Sequence, residues 1–144
     1  MIYAALYVSR AVRPFSDAHL AELLQVARRN NDRRGITGRL VYAAHGGVTG
    51  TFAQWIEGED WRVRDLLYGA ILRDGRHAIV GYPFEGPIGA RAFGSWTMEF
   101  EKLPSEDALS EEIERLTRLA RDLRPSKRRE EARAKTVRTI RLDA

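Results

Sequence analysis

Residues 36–57 read ITGRLVYAAHGGVTGTFAQWIE. Two β-prone runs, 36–43 and 51–57, flank a loop from His45 to Gly50 that holds three glycines, the signature of a hairpin. In the second run Phe52, Gln54 and Ile56 share one face, while Ala53, Trp55 and Glu57 share the other. Outward from the hairpin, each side repeats one pattern. Upstream, residues 2–9 (IYAALYVS) are apolar on both faces, as in a strand covered on two sides. Pro14 breaks the chain, and Ser16 caps a helix whose stripe is Leu20, Leu23, Leu24 and Ala27. Asn30, Asn31 and Asp32 end that helix, and Gly35 supplies the turn. Downstream, Asp60 caps a second helix to about Arg73, with Val63, Leu66, Leu67, Ala70 and Ile71 inward. A strand over Ala78–Phe84, ended by Glu85-Gly86-Pro87, and a last strand over Ser95–Glu101 follow.

The order β-α-β-β-α-β-β predicts an α+β fold: a ferredoxin-like sheet with two helices on one face. C-terminal helices are expected on the other face. Ser105 caps the first of them, with stripe Leu109, Ile113, Leu116, Ala120 and Leu123, and Pro125 stops it. Val137, Ile140 and Leu142 mark a second, weaker segment. The expected organisation is one domain over 1–103 and a helical extension over 104–144.

The chain has 144 residues, 44% hydrophobic and 31% charged, enough for one domain with a core. It contains no cysteine, which excludes disulfides, a catalytic thiol and Cys-based metal sites. No apolar run suits a membrane span. The opening MIYAALYVSR does not resemble a secretory leader, so a cytoplasmic location is expected. The net charge is +4, and 21 of the 24 basic residues are arginines. The excess is local: residues 115–141 hold eleven basic and three acidic residues, whereas 1–103 hold thirteen and eleven. A basic tail invites a nucleic-acid or acidic-partner reading, but a solvated helix face is the simpler account of it.

Four features ask for a role. Tyr7 places a phenol at the centre of a strand that should be buried, where it needs a partner. Gln54 places an amide on an apolar strand face, which is costly unless the strand is an edge facing water. Asn30-Asn31 at a helix end suits a C-terminal cap. Trp96 and Met98 share one face of the last strand. In the predicted topology the first and third strands are neighbours, so Tyr7, Gln54 and the asparagines can converge between helices and sheet. A phenol, several amides and apolar walls suit a flat heterocycle with imide-like edges rather than acid–base hydrolysis. No Ser-His-Asp arrangement, phosphate loop or metal-ligand spacing is visible, and His19, His45 and His77 are scattered.

LYVSR, RRNNDRRGITGRLVY, FAQWIEG, ILRDGRH and RAFGSWTM, in that order and spacing, resemble the BLUF family of blue-light sensors that use FAD. The resemblance covers about residues 2–101. It implies a non-covalent FAD between the two helices and no enzymatic activity. It implies photoactive roles for Tyr7, Gln54, Trp96 and Met98, with light-driven electron and proton transfer from Tyr7 via Gln54 rearranging the flavin's hydrogen bonds. It implies that Asn31 holds the carbonyl edge, with Asn30 near the ring, Asp74 at the imide side, His77 closing the D-x-R-H motif, and Ile36 against the ring. Ala70 departs from members that carry a polar residue there, and the 45–50 loop is longer than usual. A sensor of this length is expected to act as a homo-oligomer or on a downstream protein partner, through 115–141. The competing readings are a basic nucleic-acid-binding module, which the expected helix over the second sheet face disfavours, and an acylphosphatase-type hydrolase, which lacks its phosphate loop.

Overall fold

A computed structural model describes residues 1–44 and 49–125. The elements run β1 (Ile2–Ala11), α1 (Asp17–Arg34), β2 (Thr37–Ala43), β3 (Thr51–Glu59), α2 (Asp60–Leu66), β4 (His77–Pro87), β5 (Glu99–Lys102) and α3 (Glu106–Leu123). The strand order is β4-β1-β3-β2-β5. β3 lies antiparallel to both β1 and β2, β4 is antiparallel to β1, and β5 runs parallel to β2. This is the ferredoxin-like α+β arrangement expected, with β1 and β3 at its centre. Gln54 is therefore interior, paired with Tyr7 on one side and Leu40 on the other, and not on an edge facing water.

Alternation along the strands separates two cores. Tyr3, Ala5, Tyr7, Leu40, Tyr42, Phe52 and Ile56 pack with Leu20 and Leu24 of α1, Val63 of α2 and Leu67 just after it. On the other face, Ala4, Leu6, Trp55 and Phe84 pack with Leu116 and Ala120 of α3, and Val41 and Ala53 with Leu109. Burying Leu109 and Leu116 contributes roughly 1.5–3 kcal/mol each. Both faces of the central strands are thus covered by helices, while Val80 and Tyr82 of the edge strand β4 stay exposed.

Both predicted serine caps form. Ser16 Oγ accepts from His19 N at 3.1 Å, and Ser105 Oγ from Ala108 N at 3.1 Å. Elsewhere the elements differ from the expectations. α1 does not stop at the asparagines; it continues to Arg34, because Gly35, at φ 63°, supplies the left-handed residue that ends it. Asp60 is the first residue of α2 rather than its cap, and Glu59, in the cap position, makes no side-chain capping bond. After Leu66 the helix widens into a π-helical turn, Leu67–Ile71, closed by Leu72 N donating to Leu67 O at 3.0 Å. The changed winding turns Ala70 outward, so it is exposed rather than part of the core stripe. β4 runs through Glu85-Gly86-Pro87, which pair with Ala5, Ala4 and Tyr3; an edge strand tolerates the proline.

β5 is short and begins after Met98, so Trp96 and Met98 precede it. The chain before it is held by irregular contacts instead of a ladder; Gly38 N, for example, donates to Trp96 O at 3.1 Å. Gly38 also has no room for a side chain, since a Cβ there would sit 1.9 Å from the Trp55 carbonyl oxygen. The tip of the 45–50 loop and the expected segment carrying Val137, Ile140 and Leu142 lie outside the described residues, as does most of 115–141. No helix among the described residues is long and apolar enough to cross a membrane.

Candidate functional site

β1 and β3 form the floor of a cavity of about 770 Å³ beneath α1 and the end of the α2 turn. Its volume lies within the range of small-molecule and cofactor pockets. Tyr7, Asn30, Asn31, Gln54, Asp74 and His77 line it, with apolar walls from Phe15, Leu23, Val26, Leu40, Phe52, Leu66 and Ile71. Pleating places Tyr7 and Gln54 side by side, because they are register partners on the same face. The Tyr7 hydroxyl donates to Gln54 Oε1. Burial is the main influence on the phenol, and with Asp74 and Tyr82 nearby it pushes the pKa well above the ordinary tyrosine value. The β1–β4 ladder slips in register on either side of Val8, next to Tyr7, and such irregularities commonly sit beside functional sites.

The opposite end of the Gln54 amide is weakly partnered. Among the described residues its Nε2 faces only the Met98 thioether, at 3.5 Å, a poor acceptor. Asn31 is buried, and its Nδ2 donates to Thr97 O at 2.9 Å. Among the described residues no protein group donates to Asn31 Oδ1, and Asn30 makes no side-chain hydrogen bond. The cavity therefore presents amide donors and acceptors without protein partners beside apolar walls. A planar heterocycle with alternating carbonyl and N–H edges fits that donor set.

The far wall carries two sets of hydrogen bonds. Asp74 receives the Arg76 side chain at 2.5–3.0 Å, and Arg76 N at 3.0 Å. Those bonds hold the Asp74 carboxyl below the usual carboxylate range, against the opposing effect of burial. His77 Nε2 lies 2.9 Å from Ile71 O, which can only accept, so Nε2 donates. Ser9 Oγ sits 2.7 Å from Nδ1 and fixes the other side of the ring. The His77 ring meets Tyr7 edge-on, with centroids 6.1 Å apart.

Six of the sequence-predicted residues thus meet at one cavity, and Met98 joins them through Gln54. Two do not. Ile36 is buried in the core and lines a smaller neighbouring hollow; its N–H donates to Asn31 O at 2.9 Å, so it secures the end of α1 rather than the cavity wall. Trp96 lines that same hollow and is 54% exposed. It is not on the last strand, and Met98 alone of the pair reaches Gln54. Sequence reasoning missed Ser9, although its place two residues after Tyr7 puts it on the same strand face. It also missed Arg28, whose Nε donates to Met98 O at 3.0 Å, and Arg13, a cation lining the cavity without a side-chain partner among the described residues.

On the opposite sheet face two charged groups are buried. Arg39 of β2 meets Glu112 of α3 at 2.8 Å and Glu99 and Glu101 of β5 at 3.2 Å each. Burial disfavours its charge, but the carboxylates outweigh this and raise its pKa. Glu57 of β3 is fully buried among hydrogen-bond donors. No cluster of potential metal ligands occurs among the described residues.

Comparison with known proteins agrees with this geometry. Residues 2–99 match the model of one family, described as BLUF, sensors of blue-light using FAD. The photoactivated adenylate cyclase subunit alpha of Euglena gracilis is 38% identical over 89 residues, 62% of this chain and 8% of that protein. The corresponding beta subunit of Euglena longa is 38% identical over 94 residues, 64% of this chain and 10% of that protein. The match is thus to a small module within much longer proteins. Among solved structures, the BLUF protein BlrB in its dark state superposes with a TM-score of 0.62 at 32% identity, covering 80% of this chain and 83% of that one. A bacterial light-regulated adenylyl cyclase gives 0.62 at 29% identity, covering 85% and 34%. The chain belongs to the BLUF family, whose domain is a flavin-binding photosensor module and not itself a catalyst.

Proposed function

We propose that this chain is a blue-light photoreceptor that holds FAD non-covalently in the cavity between α1 and α2, with Tyr7 and Gln54 as its photoactive pair. The observation that carries this reading is the Tyr7–Gln54 hydrogen bond inside a cavity where the Asn30 side chain and Asn31 Oδ1 have no protein partner among the described residues. Bound flavin supplies blue-light absorption and a strongly oxidising excited state. Everything else is the work of the side chains. Asn31 would hold the carbonyl edge, with Asn30 near the ring, and Asp74, kept as an acceptor by Arg76, the imide side. Arg13 offers a cation to phosphate. Tyr7 is a buried phenol that keeps its proton at ordinary pH, so it would release that proton only as it loses an electron. Gln54 is the group already in contact to accept it, and its amide bears a donor at one end and an acceptor at the other. Rotation of that amide exchanges what it presents to Met98 and to the cavity.

The output path follows contiguous contacts. Gln54 touches Met98, which leads directly into β5. Glu99 and Glu101 of β5 share Arg39 with Glu112 of α3. A displacement of β5 therefore alters the ion cluster around the buried Arg39 on the far face, where α3 sits. We assign residues 1–103 to sensing and 104–144 to output, with the basic 115–141 stretch directed at an acidic partner protein or a second copy of the chain. In the Euglena relatives named above the matched module is a small part of a photoactivated adenylate cyclase subunit.

The test is an absorption experiment. Purified chain incubated with FAD or FMN and dialysed should retain FAD in preference. Under blue light the bound flavin band should move to longer wavelength and return in darkness. Protein that releases FAD on dialysis, or whose flavin band is indifferent to light, contradicts the proposal.

A further inference from the structure

Glu57 has no part in the chemistry above. It lies on β3, three residues after Gln54, and points to the opposite sheet face, where its exposure is 0%. Its two oxygens accept four hydrogen bonds. Oε1 takes Trp55 Nε1 at 2.8 Å and Ala92 N at 2.7 Å; Oε2 takes Phe93 N at 2.9 Å and Thr37 Oγ1 at 2.7 Å. The Thr37 hydroxyl is itself oriented, because Arg91 donates to it at 2.9 Å and leaves its proton for Glu57. Arg91 also donates to Gly35 O, at the end of α1, at 2.8 Å. A buried carboxyl group is costly unless its acceptor sites are filled, and here they are.

What Glu57 grips is the start of the segment that ends at Met98. The far end of the same segment is gripped from α1, by Asn31 on Thr97 O and by Arg28 on Met98 O. The span between Phe93 and Thr97 has no ladder of its own. Trp96, between the anchors, is held as well, its N–H donating to Phe93 O at 3.0 Å and its O accepting from Gly38 N at 3.1 Å. The register, and hence where the Met98 sulfur lies against Gln54, depends on the Glu57 grip together with these contacts. We infer that Glu57 is a positioning residue for the photoreaction: from the back of the sheet it sets segment 92–98 and so the seat of Met98 beside Gln54. This rests on the proposed photoactive role of Gln54.

The test is Glu57→Gln, which places an amide NH₂ against donors that need an acceptor. In flavin-free protein, amide hydrogen exchange at Ala92 and Phe93 should rise about tenfold or more and spread to Thr97 and Met98, as expected when a buried hydrogen-bond acceptor is lost. In flavin-loaded protein the dark-return rate after blue light should change by roughly threefold or more, a shift of less than 1 kcal/mol in a barrier. Unchanged exchange, or faster exchange with a wild-type return rate, overturns the inference. If Glu57→Gln does not fold, Thr37→Val removes one donor and leaves the carboxyl group in place. Smaller changes in the same two readouts then support the inference, and wild-type values in either readout overturn it. If wild-type protein shows no light response, the photoreceptor reading fails, while the flavin-free exchange measurement still decides whether Glu57 holds the segment.

Discussion

The two faces of the sheet are built to opposite rules. On the α1/α2 face, polar side chains from β1, β3 and α1 surround an open volume, and Gln54, Asn30 and Asn31 keep hydrogen-bonding capacity that no protein group among the described residues uses. On the α3 face, the volume is filled by Leu6, Trp55, Phe84 and Leu116, and the buried charges are saturated: Glu57 by four donors, Arg39 by three carboxylates. The first face is arranged to receive a ligand, the second to hold a fixed geometry. A strand that crosses between these environments, as β3 does through Gln54 and its neighbour Trp55, ties a change on one face to the packing of the other.

This contrast predicts unequal responses to truncation. Trp55→Ala should destabilise the protein by roughly 3–5 kcal/mol, since it empties a filled core and strands Glu57 without one donor. Val26→Ala on the cavity wall should change stability by no more than about 0.5 kcal/mol, because that side chain is half exposed. Denaturant unfolding of both variants measures the gap, and equal losses would erase the distinction between the faces.

A smaller effect is expected at the α3 anchor. Glu112→Ala should cost roughly 1.5–3 kcal/mol, the range for hydrogen bonds to charged groups, with Arg39 still held by β5. Flavin binding and the light-induced spectral change should survive, while hydrogen exchange in α3 increases. Loss of flavin would mean that the far face shapes the cavity itself.

The same anchor carries a pH dependence. Burial alone would lift the Glu112 carboxyl, but hydrogen bonds from Arg115 and Arg39 outweigh it and hold the pKa below the ordinary 4.5. A lowered native pKa gives stability that is present above the unfolded-state value and is lost as pH falls through the native one. Urea unfolding between about pH 6 and pH 3 should therefore show wild type converging on Glu112→Gln as acid is added. A stability difference that stays constant across that range would remove the ion cluster from the account. The smallest effect belongs to Trp96: Trp96→Ala should alter stability by less than about 0.5 kcal/mol, as for an exposed side chain away from a packed core. A large loss would mean Trp96 is packed as the sequence pattern first implied.

Much of this contrast was legible in the sequence. Alternation in 2–9 and 51–57 assigned Tyr7 and Gln54 to one face and Trp55 to the other, and the Ser16 and Ser105 caps and the 105–123 stripe marked their helices. The asparagines were harder. Asn is a common C-cap, and nothing local says that Gly35, four residues on, is the true terminus. The π-turn that exposes Ala70 depends on packing rather than on propensity. Glu57 and Arg39 were hidden for a different reason. A charged residue on a strand reads as solvent-facing until its partners are known, and these include Thr37, Ala92 and Phe93 for Glu57 and Glu99, Glu101 and Glu112 for Arg39. Trp96 and Met98 have the spacing of one strand face, yet anchors outside their own stretch pull the chain out of the ladder before β5 begins.

The central claim is that the Tyr7–Gln54 contact is where light is converted into a structural change. Tyr7→Phe tests it with the loss of one oxygen atom from a side chain that otherwise fills the same space. The light-minus-dark absorption spectrum of that variant, loaded with FAD, should be flat although the flavin remains bound. A reversible red shift of wild-type size in Tyr7→Phe would contradict the account.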